Sequence, residues 1–143
     1  MFRPTQPDLI AKKLKNINLH FSASKEYLGH SGEPYCIDDL SHHRLIGFDR
    51  DLAMLKALEK TGWQITPANF KNRTDSLAMQ IELARQSAGI CVTHLPIIKR
   101  FPELQIILAD VPIPELEFWL VCHGDVQHNR KIRLMMDFLS SRF

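Results

Sequence analysis

Apolar and polar positions along the chain follow two different periods. The clearest change of period lies in residues 70–96, FKNRTDSLAMQIELARQSAGICVTHLP. A short extended segment there ends at Arg73, and Leu77, Ile81, Ala84 and Ala88 then recur at the spacing of one helical face. Asp75 or Ser76 suits the cap that occupies free N–H groups at the helix start, and Gly89 suits the left-handed residue just past its end. Ile90, Cys91 and Val92 form a short apolar run of the kind a buried strand needs. The stretch predicts a strand–helix–strand unit crossing over on a parallel sheet. In such sheets ligands collect at the carboxyl ends of strands, against helix N-termini. The turn at Arg73, Thr74, Asp75 and Ser76 is therefore the first candidate binding site.

The rest of the chain reads in the same two periods. In residues 7–14, Pro7 and Asp8 suit a helix start, and Leu9, Ile10, Lys13 and Leu14 make a short amphipathic helix. Ile17, Leu19 and Phe21 alternate with Asn18, His20 and Ser22, which predicts a strand. Ser24 can cap a short helix carrying Tyr27 and Leu28 and ended by Gly29 and Gly32. A helical turn is expected near residues 37–40 and a short strand at residues 44–48. Asp49 or Asp51 can start a helix with Leu52, Leu55 and Leu58 on its apolar face, closed by Gly62. Residues 94–100 predict a short helix stopped by Pro102, and residues 104–108 a strand. Residues 117–122 predict a strand with Phe118, Leu120 and Cys122 on one face. Asn129 or His128 caps a last helix, with Ile132, Met135, Met136 and Leu139 as its buried stripe. Strands alternate with helices throughout, so the class is α/β.

Composition narrows the partners. At 143 residues the chain has the length of one ordinary domain, and its 45% hydrophobic content is that of a core-forming protein. The formal charge of +2, from 18 basic and 16 acidic residues intermixed, gives no basic stripe for nucleic acid. Three cysteines with no close pair read as free thiols in a reducing compartment. No apolar run approaches a membrane span, and the N-terminus has no apolar signal core, which points to the cytoplasm. No glycine-rich phosphate loop is present, and no cofactor is expected.

Other chemistry is weighed against packing. Cys91 with His94 three residues on could serve a small cysteine-dependent enzyme, but a reactive thiol needs a paired base, and the surrounding run reads as core. Cys36, His42 and His43 could be taken for zinc ligands. Adjacent histidines point to opposite sides, however, and no second ligand pair of usual spacing exists, so no metal is expected. Phe48 ends a strand and could offer an aromatic wall, with Asp49 more simply a cap. The turn at residues 73–76 could equally be an ordinary helix cap.

Read together, several segments resemble the effector-binding domain of LysR-type transcriptional regulators. Pro7-Asp8-Leu9-Ile10-Ala11-Lys12-Lys13-Leu14 is similar to the family's "LVARRL" run, and Leu19 through Leu28 to its strand and "SPAYL" turn. Asp39-Leu40-Ser41-His42-His43-Arg44-Leu45-Ile46 resembles "DLxxHxxI". Arg73-Thr74-Asp75-Ser76 with Ala88-Gly89-Ile90 and Leu95-Pro96 resembles "TDS…GxGIxxLP". Glu117 through His123, Arg130-Lys131-Ile132-Arg133 and Asp137-Phe138-Leu139 resemble the closing "WLVxH…RVRxxxDFL". The elements stand in the family's order at similar spacings. Lys25 and Ser87 depart from the usual proline and glycine.

The resemblance implies a periplasmic-binding-protein-like (type 2) two-lobe effector domain, with one lobe complete over residues 24–107 and the other partial, from residues 1–23 and 108–143. It implies a small-molecule effector held between lobes and no chemistry. The effector contacts expected are Ser22, Ser24, Phe48, Arg73, Thr74, Asp75, Ser76 and Cys91. Ser22 and Ser24 would lie on a strand crossing the cleft floor, although an alternating polar face and a helix cap explain them equally. DNA would be contacted only through a helix-turn-helix that precedes this chain in the family. Self-association through the partial lobe is expected. A solute-binding protein of the same architecture is the alternative, against which the missing signal core argues.

Overall fold

The computed structural model describes residues 6–50 and 66–142, together with Lys56, Glu59 and Trp63. The helix expected on Leu52, Leu55 and Leu58 and closed by Gly62 lies outside those residues. The chain forms two compact units, Asn18–Pro114 and Met1–Ile17 with Glu115–Phe143.

The larger unit is built on strand β2 (Leu19–Ser24), as the alternation of Leu19 and Phe21 predicts. It runs antiparallel to β5 (Cys91–His94) on one edge and to β6 (Leu104–Ile107) on the other. Phe21 lies opposite Val92 and Ile107, and Ser22 opposite Cys91 and Ile106. With both faces covered, the strand is buried on both sides, serines included. One face joins Phe21, Ala23 and Ile107 to Tyr27, Leu28, Leu40 and Trp63. The other joins Cys91 and Leu104 to Ile46, Ala84 and Ile98. Each of the leucine, isoleucine and phenylalanine side chains contributes about 1.5–3 kcal/mol on burial.

Helix α1 (Lys25–Ser31) starts on Ser24, whose Oγ accepts the Tyr27 N–H, and ends at Gly32 with φ of 81°. A 3-10 turn (Ile37–His42) leads to β3 (Leu45–Gly47), which runs parallel to β4 (Phe70–Arg73). Leu45 also forms a parallel bridge with Ile90. Helix α2 (Leu77–Arg85) then connects β4 to β5, burying Ile81 and Ala84. The expected crossover on a parallel sheet is therefore only half right. The parallel part ends at Ile90, because β2 takes the other edge of β5 and runs opposite to it. The left-handed residue after α2 is Ser87, with φ of 61°, and not Gly89.

Gly89 serves a different need. Its φ is 155°, and a Cβ there would lie 2.2 Å from the Arg44 carbonyl oxygen. That close approach lets Ile90 N–H donate to Arg44 O and Ile46 N–H donate to Ile90 O, both at 2.8 Å. Helix α3 (Leu95–Arg100) follows β5 as expected. Arg85 ties α2 to the turn beyond α3, pairing with Glu82 and Glu103, its guanidinium 4.2 Å from the centre of the Phe101 ring.

In the smaller unit the expected helix at residues 7–14 is instead strand β1 (Leu9–Ile17), antiparallel to β7 (Leu116–His123). The cause is a bulge between Lys13 and Lys15. In a regular strand Ile10 and Ile17, seven apart, would point to opposite faces. The extra residue Leu14 puts them on one face, opposite Cys122 and Leu116, with Phe118 and Leu120 between. The apolar Leu9, Ile10 and Leu14 that with Lys13 suggested a helical face thus belong to a bulged strand, as does Ile17, which was expected in the next strand. The other face carries Lys13, whose Nζ donates to Glu117 at 2.6 Å, beside Trp119. Helix α4 (Arg130–Arg142) is capped by Asn129, whose Oδ1 accepts the Lys131 N–H. Ile132, Met136 and Leu139 are half-buried, but Met135 lies off that stripe. It is 56% exposed, with Leu134 at 59% and Phe138 at 53%.

Gly89→Ala is expected to lower stability by about 1–3 kcal/mol, read from the urea midpoint, since the methyl would meet the Arg44 carbonyl at a strained φ. An unchanged midpoint would contradict the close approach.

Candidate functional site

Parallel pairing brings two loops to one place. Gly47 and Arg73 are register partners at the carboxyl ends of β3 and β4, and Thr74 N–H donates to Gly47 O at 2.9 Å, extending the ladder by a step. The chain leaves β3 through Phe48, Asp49 and Arg50 and leaves β4 through Thr74, Asp75 and Ser76. Asp75 binds these loops together: its Oδ1 accepts the N–H groups of Asp49 and Arg50, each at 3.0 Å. Arg73 Nε lies 3.6 Å from Asp49 Oδ1, an exposed pair worth little on its own.

The turn itself is locked from below. Ser76 Oγ accepts the Met79 N–H at 3.4 Å, which caps α2, and Ser76 N–H donates to Thr74 Oγ1 at 3.3 Å. The buried Gln80 reaches back with Nε2 to the Thr74 carbonyl at 2.7 Å. Phe48, Arg73, Thr74, Asp75 and Ser76 are thus brought to one surface, beside the positive end of α2 and flanked by exposed Leu77 and Met79. Such a surface can receive a carboxylate or hydroxyl with an apolar body alongside. Two of its features were not read from the sequence. The clamp by Asp75 depends on pairing across residues far apart in the chain. Gln80 carried a local signal, a polar side chain next to Ile81 on the buried side of a short helix.

Ser22, Ser24 and Cys91 are elsewhere. All three are fully buried. Ser22 Oγ lies 3.4 Å from Cys91 Sγ. Ser24 Oγ accepts the Tyr27 N–H and lies 2.9 Å from Ser87 Oγ, which donates to Glu26 at 3.0 Å. That pattern fixes the order of the protons: Ser24 donates to Ser87, and Ser87 to Glu26.

Cys91 and His94 fall on opposite faces of β5, since alternate residues alternate faces. Burial also pushes the Cys91 thiol up from its ordinary range. The pair cannot form a thiolate–imidazole couple. His43 is engaged by Tyr27, and the Cys36 N–H donates to Asp39. Among the described residues no group of three or more His, Cys, Asp or Glu could hold a metal ion.

The sequence matches the LysR substrate binding domain over residues 1–143. The chain belongs to the LysR substrate-binding domain family. Its mixed α/β fold is that of LysR effector-binding domains, the periplasmic-binding-protein-like type 2 fold. The regulatory domain of CrgA, a LysR-type transcriptional regulator from Neisseria meningitidis, is 20% identical with a TM-score of 0.82, over 99% of this chain and 72% of that one. Full-length AphB, a virulence activator of Vibrio cholerae, is 18% identical with a TM-score of 0.76, over 99% of this chain and 49% of its own. The AmpR effector binding domain from Citrobacter freundii is 12% identical with a TM-score of 0.72, over 96% and 68%. This LysR domain thus spans about half the length of the full regulators CrgA and AphB. No curated protein matches the chain. Among the described residues no helix is long and apolar enough to cross a membrane.

Mass-spectrometric mapping after brief alkylation at neutral pH is expected to find exposed Cys36 labelled and Cys91 untouched until the protein is unfolded. Rapid native labelling of Cys91 would show that the second core is open.

Proposed function

We propose that this domain senses a small effector for a LysR-type transcriptional regulator and performs no chemistry. The observation that carries the reading is the meeting of the two loops, residues 48–50 and 73–76, at the carboxyl ends of parallel β3 and β4. The family's role supports it. The effector's polar end, a carboxylate or comparable group, docks against Thr74, Ser76 and the Arg73 guanidinium, and Phe48 and Leu77 offer apolar contact. Binding acts by favouring one arrangement of the domain over another. The unit of residues 18–114 supplies one lobe, and the smaller unit contributes part of a second. DNA contact belongs to a helix-turn-helix of the regulator, outside this chain, and the regulator works in the cytoplasm.

In the intact regulator, Thr74→Val and Ser76→Ala are expected to weaken effector affinity by about tenfold, for a loss of stability near 1 kcal/mol. Effectors are found by a thermal-shift screen of small organic acids and measured by calorimetry. Wild-type affinity in both variants would make the turn a cap and nothing more.

The domain also self-associates through its smaller unit. Among the described residues β1 and β7 form a pair with no third strand, and an isolated pair is marginal in water. Leu134, Met135 and Phe138 add an apolar stripe on α4 that a soluble monomer rarely exposes. Gel filtration with light scattering is expected to give a dimer or larger. A monodisperse monomer at high micromolar concentration would exclude it.

A further inference from the structure

The buried Tyr27 hydroxyl meets two partners at once. The Arg44 N–H donates to Tyr27 Oη at 3.0 Å, and Tyr27 Oη lies 3.1 Å from His43 Nδ1. The buried phenol proton has His43 Nδ1 as its acceptor when the neutral ring carries its own proton on Nε2. Arg44 is held on its other side as well. Its carbonyl takes the Ile90 N–H, and its guanidinium donates to Ser87 O at 3.0 Å and lies 5.2 Å from the centre of the Tyr27 ring. One phenol therefore fixes the start of β3 against α1, and Ile90 fixes it against β5.

We infer that His43 is a proton-operated latch on the start of β3. Neutral, the ring accepts the Tyr27 proton and keeps Arg44 docked. Protonated on Nδ1, it presents a second donor to an oxygen whose own proton then has no acceptor, and the Arg44 anchor loosens. The charged and titratable groups facing the ring are Asp39 and His42 on the 3-10 turn, Tyr27 on α1, and Arg44. Burial disfavours the imidazolium most, Asp39 favours it and His42 opposes it, so His43 titrates below the ordinary histidine range. Asp39 stays ionised because the Cys36 and Tyr35 N–H groups hold its carboxyl below the usual carboxylate range. A histidine lowered in the folded state adds stability above its unfolded pKa, about 6.5, and that stability is lost as pH falls through the folded value. The latch opens in mild acid. Because β3 runs through Gly47 into Phe48, its release reaches the proposed effector loop; that last step alone rests on the function proposed above.

The test reads β3 without any effector, on the full chain. Nitrogen-detected NMR of the His43 ring is expected to show a neutral Nε2–H tautomer and a titration midpoint below 6.5. Amide exchange at Ile90, corrected for its intrinsic rate, is expected to lose about tenfold in protection through the same transition. His43→Asn, whose Oδ1 can take the Tyr27 proton without titrating, is expected to hold that protection constant with pH. A ring midpoint at or above the ordinary value overturns the latch, as does an Ile90 profile that falls identically in His43→Asn. Should that variant not fold, the wild-type midpoints decide: separate transitions at His43 and Ile90 refute the coupling, and coincident ones support it.

Discussion

The larger unit depends on the two peptide groups of Arg44. The N–H is held by the Tyr27 hydroxyl and the carbonyl by the Ile90 N–H. Through the first, α1 is attached to β3; through the second, β3 is attached to the strand that pairs with β2. Buried backbone groups must find partners, and here the two partners come from different layers of the fold. Gly89 is the condition for the second contact, since any Cβ would occupy the space of the Arg44 carbonyl. Three features of the sequence that look unrelated, a tyrosine after a serine cap, a histidine pair and a glycine before an apolar run, thus belong to one arrangement.

A line of small polar groups runs under α2, from Cys91 and Ser22 to Ser24, Ser87 and Glu26. Small side chains allow the helix to lie close to β2, and the hydroxyls satisfy one another or the first turn of α1. The polar atoms on this side of the sheet therefore hold the layers together. At the strand ends, by contrast, Asp75 joins two exposed loops by accepting the backbone N–H groups of Asp49 and Arg50.

How much of this was legible in the sequence differs from element to element. The stripe of Ile81 and Ala84 and the strand at Leu19 and Phe21 follow from interactions within a few residues and are as expected, and of the paired cap candidates Ser76 rather than Asp75 and Asn129 rather than His128 take the role. Strand β1 was not legible, because Leu9, Ile10, Lys13 and Leu14 stand at helical spacing and a bulge at Leu14 breaks the period of two that would have marked a strand. The register that reveals it belongs to β7, a hundred residues on. Ser22 and Ser24 were expected on a strand crossing a cleft floor, or on the polar side of an alternating strand with Ser24 as a cap. An interior strand with a covered second face has no such side, and only the pairing of β2 between β5 and β6 tells the two cases apart. The loop at residues 73–76 was located from the strand–helix junction, whereas its junction with residues 48–50 is a tertiary fact.

The position of β2 also sets the order in which the sheet can assemble. Strands β5 and β6 never pair with each other; each pairs with β2, which lies far upstream in the chain, Ser22 and Cys91 being separated by 69 residues. Without that early segment, β6 has no ladder and β5 keeps only the bridge from Ile90 to Leu45. The entropy of closing so long a loop is met before any of the sheet's hydrogen bonds form. Local helices such as α2 need no such closure, whereas the three-stranded sheet cannot form without it. On a ribosome, the central strand emerges first and waits for both of its neighbours.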